Sequence, residues 1–155
     1  HNRVRRQRQM CIRDSPHVAR KALVALRAGP ACVDAIGTPN QSGALMALRY
    51  MHHPEAVDAL LKRFEKTLKS DTKQRIARSL VRLANKEKVY QGDTWWGTRP
   101  DTRGPYYYPT PWEKTEEIHQ ALVKAAKMGD PATRFVISKL AEKDRVNIPG
   151  LPKGD

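Results

Sequence analysis

The sequence lacks most of the features that identify an enzyme, a disulfide-stabilised domain or a membrane protein. It has only two cysteines, Cys11 and Cys32, and therefore neither a CxxC pair nor a CxxCH haem-attachment motif nor a disulfide framework. No apolar run is long enough to span a bilayer. A Gly-rich phosphate loop, a nucleophile elbow and a Cys-His pair are also missing. We therefore expect no catalytic residues, no metal site and no cofactor in this chain, and no membrane insertion.

Aromatic residues are scarce except in one stretch. The chain has ten of them, and seven lie between Tyr90 and Trp112, together with four prolines and three glycines. Loops longer than about 12–15 residues are uncommon unless they are functional or disordered. Disordered segments are poor in aromatic residues, whereas this one is rich in them. We therefore predict an ordered aromatic and proline-rich insertion over residues 88–112, between helical segments.

The formal charge of +13 is unevenly distributed. Residues 1–15 hold five arginines and one aspartate, and Met10 to Ser15 resembles the translation of a sequencing adapter. We interpret residues 1–15 as a non-native scar or a disordered arm, the alternative being a natural basic arm. The other 140 residues carry a net +9, with acids interleaved among the bases. Residues 147–155 are predicted to be an irregular tail, which we expect to be truncated.

Apolar residues recur at helical spacing through residues 16–146. Helices are predicted near 17–28, 31–36, 42–51, 54–68, 70–84, 113–128 and 130–141, with no strand. The buried stripes are expected to include Leu68 and Phe135. Ser42, either Ser70 or Asp71, and Asp130 are the predicted N-caps.

One unit recurs in this pattern: a short apolar helix, a turn with a proline, and a longer amphipathic helix. The clearest copy is LMAL at 45–48 followed by PEAVDALL at 54–61, and it resembles a HEAT-type repeat. Asp130-Pro131-Ala132 resembles the same turn. A helical pair cannot bury both of its faces alone, so neighbouring pairs stack on it. The resemblance implies an all-α fold over residues 16–146, an α-solenoid of HEAT-like hairpins.

The insertion itself is more distinctive. The run TWWGTRPDTRGPYYYPTPWE, residues 94–113, resembles a segment of large multidomain proteins of planctomycetes and related bacteria. In that family a sugar-dehydrogenase-like propeller precedes helical repeats, and a c-type cytochrome module follows. The resemblance covers the repeat region alone, so neither redox activity nor haem is assigned to these residues. It implies export, with a periplasmic or cell-envelope location for a parent protein that is itself a redox enzyme.

Two interpretations of the insertion remain open. The rings can pack against the helices and replace a missing helix, since each buried aromatic removes about 150–250 Å² from water. Alternatively, some stay exposed as a platform for a sugar, a peptide or a neighbouring domain. The leading functional hypothesis is a non-catalytic scaffold that docks a neighbouring domain of the parent chain or another protein. Its candidate partner-binding residues are Trp95, Trp96, Arg99, Asp101, Arg103, Tyr106, Tyr107, Tyr108 and Trp112.

Two further hypotheses use other residues. Nucleic-acid binding would use a basic ridge, which is otherwise an ordinary solvated helix face; its members are Lys73, Arg75, Arg78, Arg82 and Lys86. A carbohydrate-processing enzyme would need Asp93 or Asp101 as one of two carboxylates facing across a cleft.

The histidines give weaker signals. His52, His53 and Glu55 suggest a metal-binding corner, but adjacent histidines on a turn diverge, which favours a solvated turn. His119 is interpreted as a surface residue.

Overall fold

Residues 17–89 and 109–152 are described in the computed structural model of the chain. These residues form seven helices and two very short strands. The elements are α1 (17–25), α2 (Gly29–Asp34), α3 (Gln41–Leu48), α4 (Pro54–Lys66), α5 (Ser70–Leu83), β1 (Lys86–Glu87), β2 (Pro109–Thr110), α6 (Thr115–Met128) and α7 (Pro131–Asp144). The predicted all-α class is confirmed, whereas the prediction of no strand is wrong at β1 and β2.

The helices from α2 onward alternate between two layers. α5 contacts α3 on one side and α7 on the other, while α4 lies between α2 and α6. Consecutive helices cross between the layers, with α2 against α3, α4 against α5, and α6 against α7. Each helix from α2 to α7 therefore packs against at least one neighbour in the chain and against the next helix but one. Packing in a row buries the apolar stripe that each helix carries at 3.6-residue spacing.

The apolar stripes meet in one core. Leu60, Leu80 and Leu122 come from three different helices, are fully buried, and belong to the same cluster of packed side chains. Val146 and Ile148, beyond the last helix, pack into that cluster as well. Among the described residues, no helix combines the length and the apolar character that crossing a membrane would need.

Polar contacts fix how neighbouring helices meet. The buried Ser79 hydroxyl donates to the Leu45 carbonyl at 3.2 Å and joins α5 to α3. At the start of α7, Asp130 is the N-cap, as predicted, and accepts the Thr133 amide at 2.8 Å. Asp130 also accepts the Ser70 hydroxyl at 3.2 Å, so the same cap joins the α7 start to the α5 start.

Several local predictions are wrong. α4 ends at Lys66, so Leu68 lies beyond the helical stripe and is 96% exposed. Phe135 is 49% exposed, because α7 turns Thr133, Ile137 and Leu140 inward instead. The predicted serine N-caps also fail. Asn40 and Lys69 occupy the N-cap positions of α3 and α5, and neither makes a side-chain capping bond.

Candidate functional site

The two ends of the insertion are held side by side. β1 and β2 pair antiparallel, with Lys86 opposite Thr110 and Glu87 opposite Pro109. The Thr110 hydroxyl adds a bond of 3.2 Å to the Lys86 carbonyl. Residues 88–108 therefore leave and rejoin the helical layers at one point, between the end of α5 and the start of α6. We call β1, β2, Trp112 and Thr115 the neck of the insertion.

Trp112 anchors the neck to the helices. Its indole Nε1–H donates to the Leu83 carbonyl at 2.7 Å, which supplies a partner for one of the unpaired carbonyls at the end of α5. The His52 ring meets the indole edge to face, with centroids 5.4 Å apart. The Lys86 ammonium lies 4.3 Å from the ring centroid, within cation–π range. Trp112 was predicted to bind a partner, but it is half-buried and packs against the core of its own chain.

Thr115, the first residue of α6, connects the neck to α5. Its hydroxyl donates to the Ala84 carbonyl at 2.7 Å and accepts the Trp112 amide at 2.8 Å. The residue is 7% exposed, so water cannot readily replace these bonds. One buried hydroxyl thus satisfies backbone groups on both sides of the insertion. The sequence analysis missed Thr115, because its partner at Ala84 lies 31 residues away in the chain.

His52 packs against the neck, through Trp112, rather than lying on a solvated turn. Its Nε2 lies 2.8 Å from the Asn85 carbonyl, and because a carbonyl only accepts, Nε2 carries the proton. Burial first, and then the nearby charges of Lys86 and Arg82, lower the pKa of His52. The ring is therefore neutral near pH 7.

The metal-corner interpretation gains no support from the geometry. His53 is half-buried and Glu55 is exposed. In the two described ranges, no three His, Cys, Asp or Glu side chains come together as a metal site. His119 is half-buried rather than on the surface: its Nε2 is buried and, within the described chain, has no hydrogen-bond partner. Burial lowers the pKa of His119.

The remaining candidates in the insertion lie outside the described residues. These are Trp95, Trp96, Arg99, Asp101, Arg103, Tyr106, Tyr107 and Tyr108. Asp93, the other carboxylate considered for sugar chemistry, lies outside them too. The structure describes the neck, where residues 88–108 leave and rejoin the helices.

Within the basic ridge, Lys73 lies apart from Arg75 and Arg78. The Lys73 ammonium sits 5.4 Å from the Phe64 ring centroid, next to α4. Arg75 and Arg78 face the opposite way, toward α3 and α7. The other two, Arg82 and Lys86, stack against aromatic rings: Arg82 over Tyr50 at 5.7 Å and Lys86 over Trp112 at 4.3 Å. Residues two positions apart on a helix diverge, which explains the separation of Lys73 from its neighbours.

Arg75 and Arg78 line a groove between α3, α5 and α7 with a volume of about 450 Å³. We call it the arginine groove. Arg49, at the end of α3, is the third guanidinium in its lining. The groove also has polar and apolar walls, formed by Ser42, Leu45, Met46, Asp71, Gln74 and Val136.

Comparison of the chain with family models, curated proteins and solved structures finds no match.

Proposed function

We propose that this chain is a non-catalytic interaction scaffold: a row of helical hairpins that presents the aromatic insertion to a neighbouring domain or a partner protein. The observation that carries the proposal is the neck. A segment of more than twenty residues is gathered between two strands of two residues each, and Trp112 and Thr115 tie its base to the helices. A loop positioned by a rigid scaffold is a common way of displaying binding residues.

The scaffold in this proposal is an α-solenoid of HEAT-like hairpins. Its support is the alternation of helices between two layers, with every second helix in contact, which is the arrangement that stacked hairpins produce. In such a row each hairpin contacts only its neighbours. An insertion in the connection between two consecutive helices, here α5 and α6, then projects without interrupting the stack.

In this proposal, the residues that hold the insertion in place differ from those that bind the partner. Trp112 is held by Leu83, His52 and Lys86, so it serves the frame. Docking therefore falls to the rings between residues 90 and 108. Under the family resemblance, the partner is a neighbouring domain of an exported parent protein.

A loop replacement tests the proposal. Residues 88–108 are replaced by Asn-Gly, which joins β1 to β2 through a two-residue turn that matches their pairing. If the insertion serves display, helical content is kept and the melting temperature changes by no more than a few degrees. If the rings instead hold the helices together, the melting temperature falls by about 10 °C or more, and the docking role is wrong.

Site-specific cross-linking identifies what docks. A photoreactive p-benzoylphenylalanine replaces Tyr107 in the full chain, in the cells that produce it, and the same group at the exposed Phe135 is the matched control. We expect a cross-linked partner from position 107 only. That partner, once purified, should bind the intact chain and fail to bind the loop-replaced chain. Equal binding to both chains would contradict the proposal.

The second candidate, nucleic-acid binding, rests on the net positive charge and on the three arginines of the arginine groove. The position of Lys73 next to α4, away from Arg75 and Arg78, weakens it, because a phosphate backbone needs a continuous track of cations. A salt series on single-stranded and duplex DNA separates this candidate from the first.

A further inference from the structure

The arginine groove concentrates positive charge that the described protein does not neutralise. Of the acidic residues, only Asp71 lines it, and Asp71 pairs with Arg75 at 2.9 Å. Among the described residues, neither Arg49 nor Arg78 forms an ion pair within 4.0 Å. Two guanidinium groups are thus left facing the groove without a counter-charge in contact.

Arg49 is the better buried of the two. Its Nε atom is buried and has no hydrogen-bond partner in the described part of the chain. Burial, and after it the charge of Arg78, lowers the pKa of Arg49, while Tyr50 and Asp144 raise it. A guanidinium stays charged throughout the physiological range. The free protein therefore holds two like charges near each other, and an anion placed between them would relieve their repulsion.

The chemistry of the other lining residues indicates what kind of anion fits the groove. Leu45, Met46 and Val136 are apolar, and Ser42 and Gln74 offer hydrogen-bonding groups. A nucleic-acid backbone places charged phosphates and polar sugars, rather than aliphatic side chains, against such walls, and among the described residues no aromatic ring lines the groove to stack on a base. A second copy of this chain, with its charge of +13, is electrostatically unsuited. Carboxylates on a peptide suit the planar fork of arginine, and aliphatic side chains beside them suit the apolar walls.

We propose that the arginine groove between α3, α5 and α7 binds an acidic peptide segment, with Arg49 and Arg78 holding its carboxylates and the exposed Met46 and half-buried Val136 receiving an aliphatic side chain. The volume of about 450 Å³ suits a few peptide residues. This site shares no residue with the neck or the insertion. It therefore stands or fails independently of the proposed display of the insertion.

The test measures binding of a fluorescein-labelled peptide, Glu-Asp-Leu-Glu-Asp-Leu, to the full chain by fluorescence anisotropy at about 0.15 M salt, where distant charges are screened. The double variant Arg49→Gln/Arg78→Gln should weaken binding about tenfold or more. The control Lys62→Gln/Lys127→Gln removes two exposed charges from α4 and α6 and should change affinity less than twofold. Because Arg49 is half-buried, the exposed Arg78→Gln alone, expected to cost about threefold, keeps the test valid if the double variant is unfolded.

Four outcomes overturn the inference. They are no measurable binding of the acidic peptide, equal weakening by the groove and control variants, equal binding of a peptide with Gln and Asn in place of the acids, and tighter groove-dependent binding of single-stranded DNA. The last would make the groove a phosphate site and favour the second candidate function. Amide chemical-shift changes at Ser42, Gln74 and Val136 that saturate with the anisotropy curve would place the peptide in the groove.

Discussion

Replacing Thr115 with valine removes the hydroxyl that joins the two sides of the neck and keeps the shape of the side chain. Two backbone groups then lose their partner: the Ala84 carbonyl, at 2.7 Å, and the Trp112 amide, at 2.8 Å. Ala84 is fully buried, so its carbonyl bears the full cost of desolvation, about 1–3 kcal/mol. The amide belongs to a half-buried residue, and its cost is smaller.

The added methyl group offsets part of this loss, by about 0.8 kcal/mol. The expected net change for Thr115→Val is about 2 kcal/mol of lost unfolding free energy. Urea denaturation followed by circular dichroism measures it. With a slope of about 2 kcal/mol per molar urea for a domain of this size, the midpoint falls by about 1 M.

The matched control is Thr72→Val, at a half-buried position in the first turn of α5, which should change stability by less than about 0.5 kcal/mol. Hydrogen exchange at the Thr110 and Trp112 amides shows whether the neck also opens locally in the Thr115→Val variant. If the Thr115→Val midpoint equals that of the control and exchange at these amides is unchanged, the hydroxyl does not hold the neck and our account of it is wrong.

Two further predictions concern packing and pH. A Cβ at Gly29 would lie 2.4 Å from the Ala56 Cβ, so Gly29→Ala should lower the free energy of unfolding, measured by thermal denaturation, by about 1–3 kcal/mol. At Gly43, inside α3, an added Cβ meets nothing within 4 Å, so Gly43→Ala should raise it by about 0.5–1 kcal/mol. A Gly29→Ala variant more stable than Gly43→Ala would contradict the packing of α2 on α4. Because the pKa of His52 is lower in the folded protein, the unfolded chain takes up a proton first as pH falls. The stability that the neutral ring provides is therefore present above about pH 6.5 and is lost as pH falls below it. His52→Gln should flatten the fall in urea midpoint between about pH 7.5 and pH 5, and equal slopes in both proteins would refute the role of His52.

Part of the architecture could be predicted from residues alone. The periodic leucines, the prolines at helix starts and the Asp130 cap located all seven helices, because these signals act within one or two turns of the chain. Predicted burial failed at Leu68 and Phe135. A stripe gives the period of a helix but not where its last turn ends, nor which of two adjacent apolar residues the neighbouring helix covers.

The site depended more heavily on tertiary structure. Composition alone located an aromatic insertion between helices. It left open whether Trp112 supports the helices or binds a partner, and it gave no indication that Thr115 belongs to the neck or that His52 packs against it, because their partners lie 29 to 33 residues away in the chain. The arginine groove has the same origin: Arg75 and Arg78 could be recognised as one face of a helix, but Arg49 joins them only because α3 packs on α5. Local sequence determined which segments became helices and where the chain leaves them. Only the packing of helices distant in the chain decided which side chains meet, since contact energies depend on distance in space and not on separation along the chain.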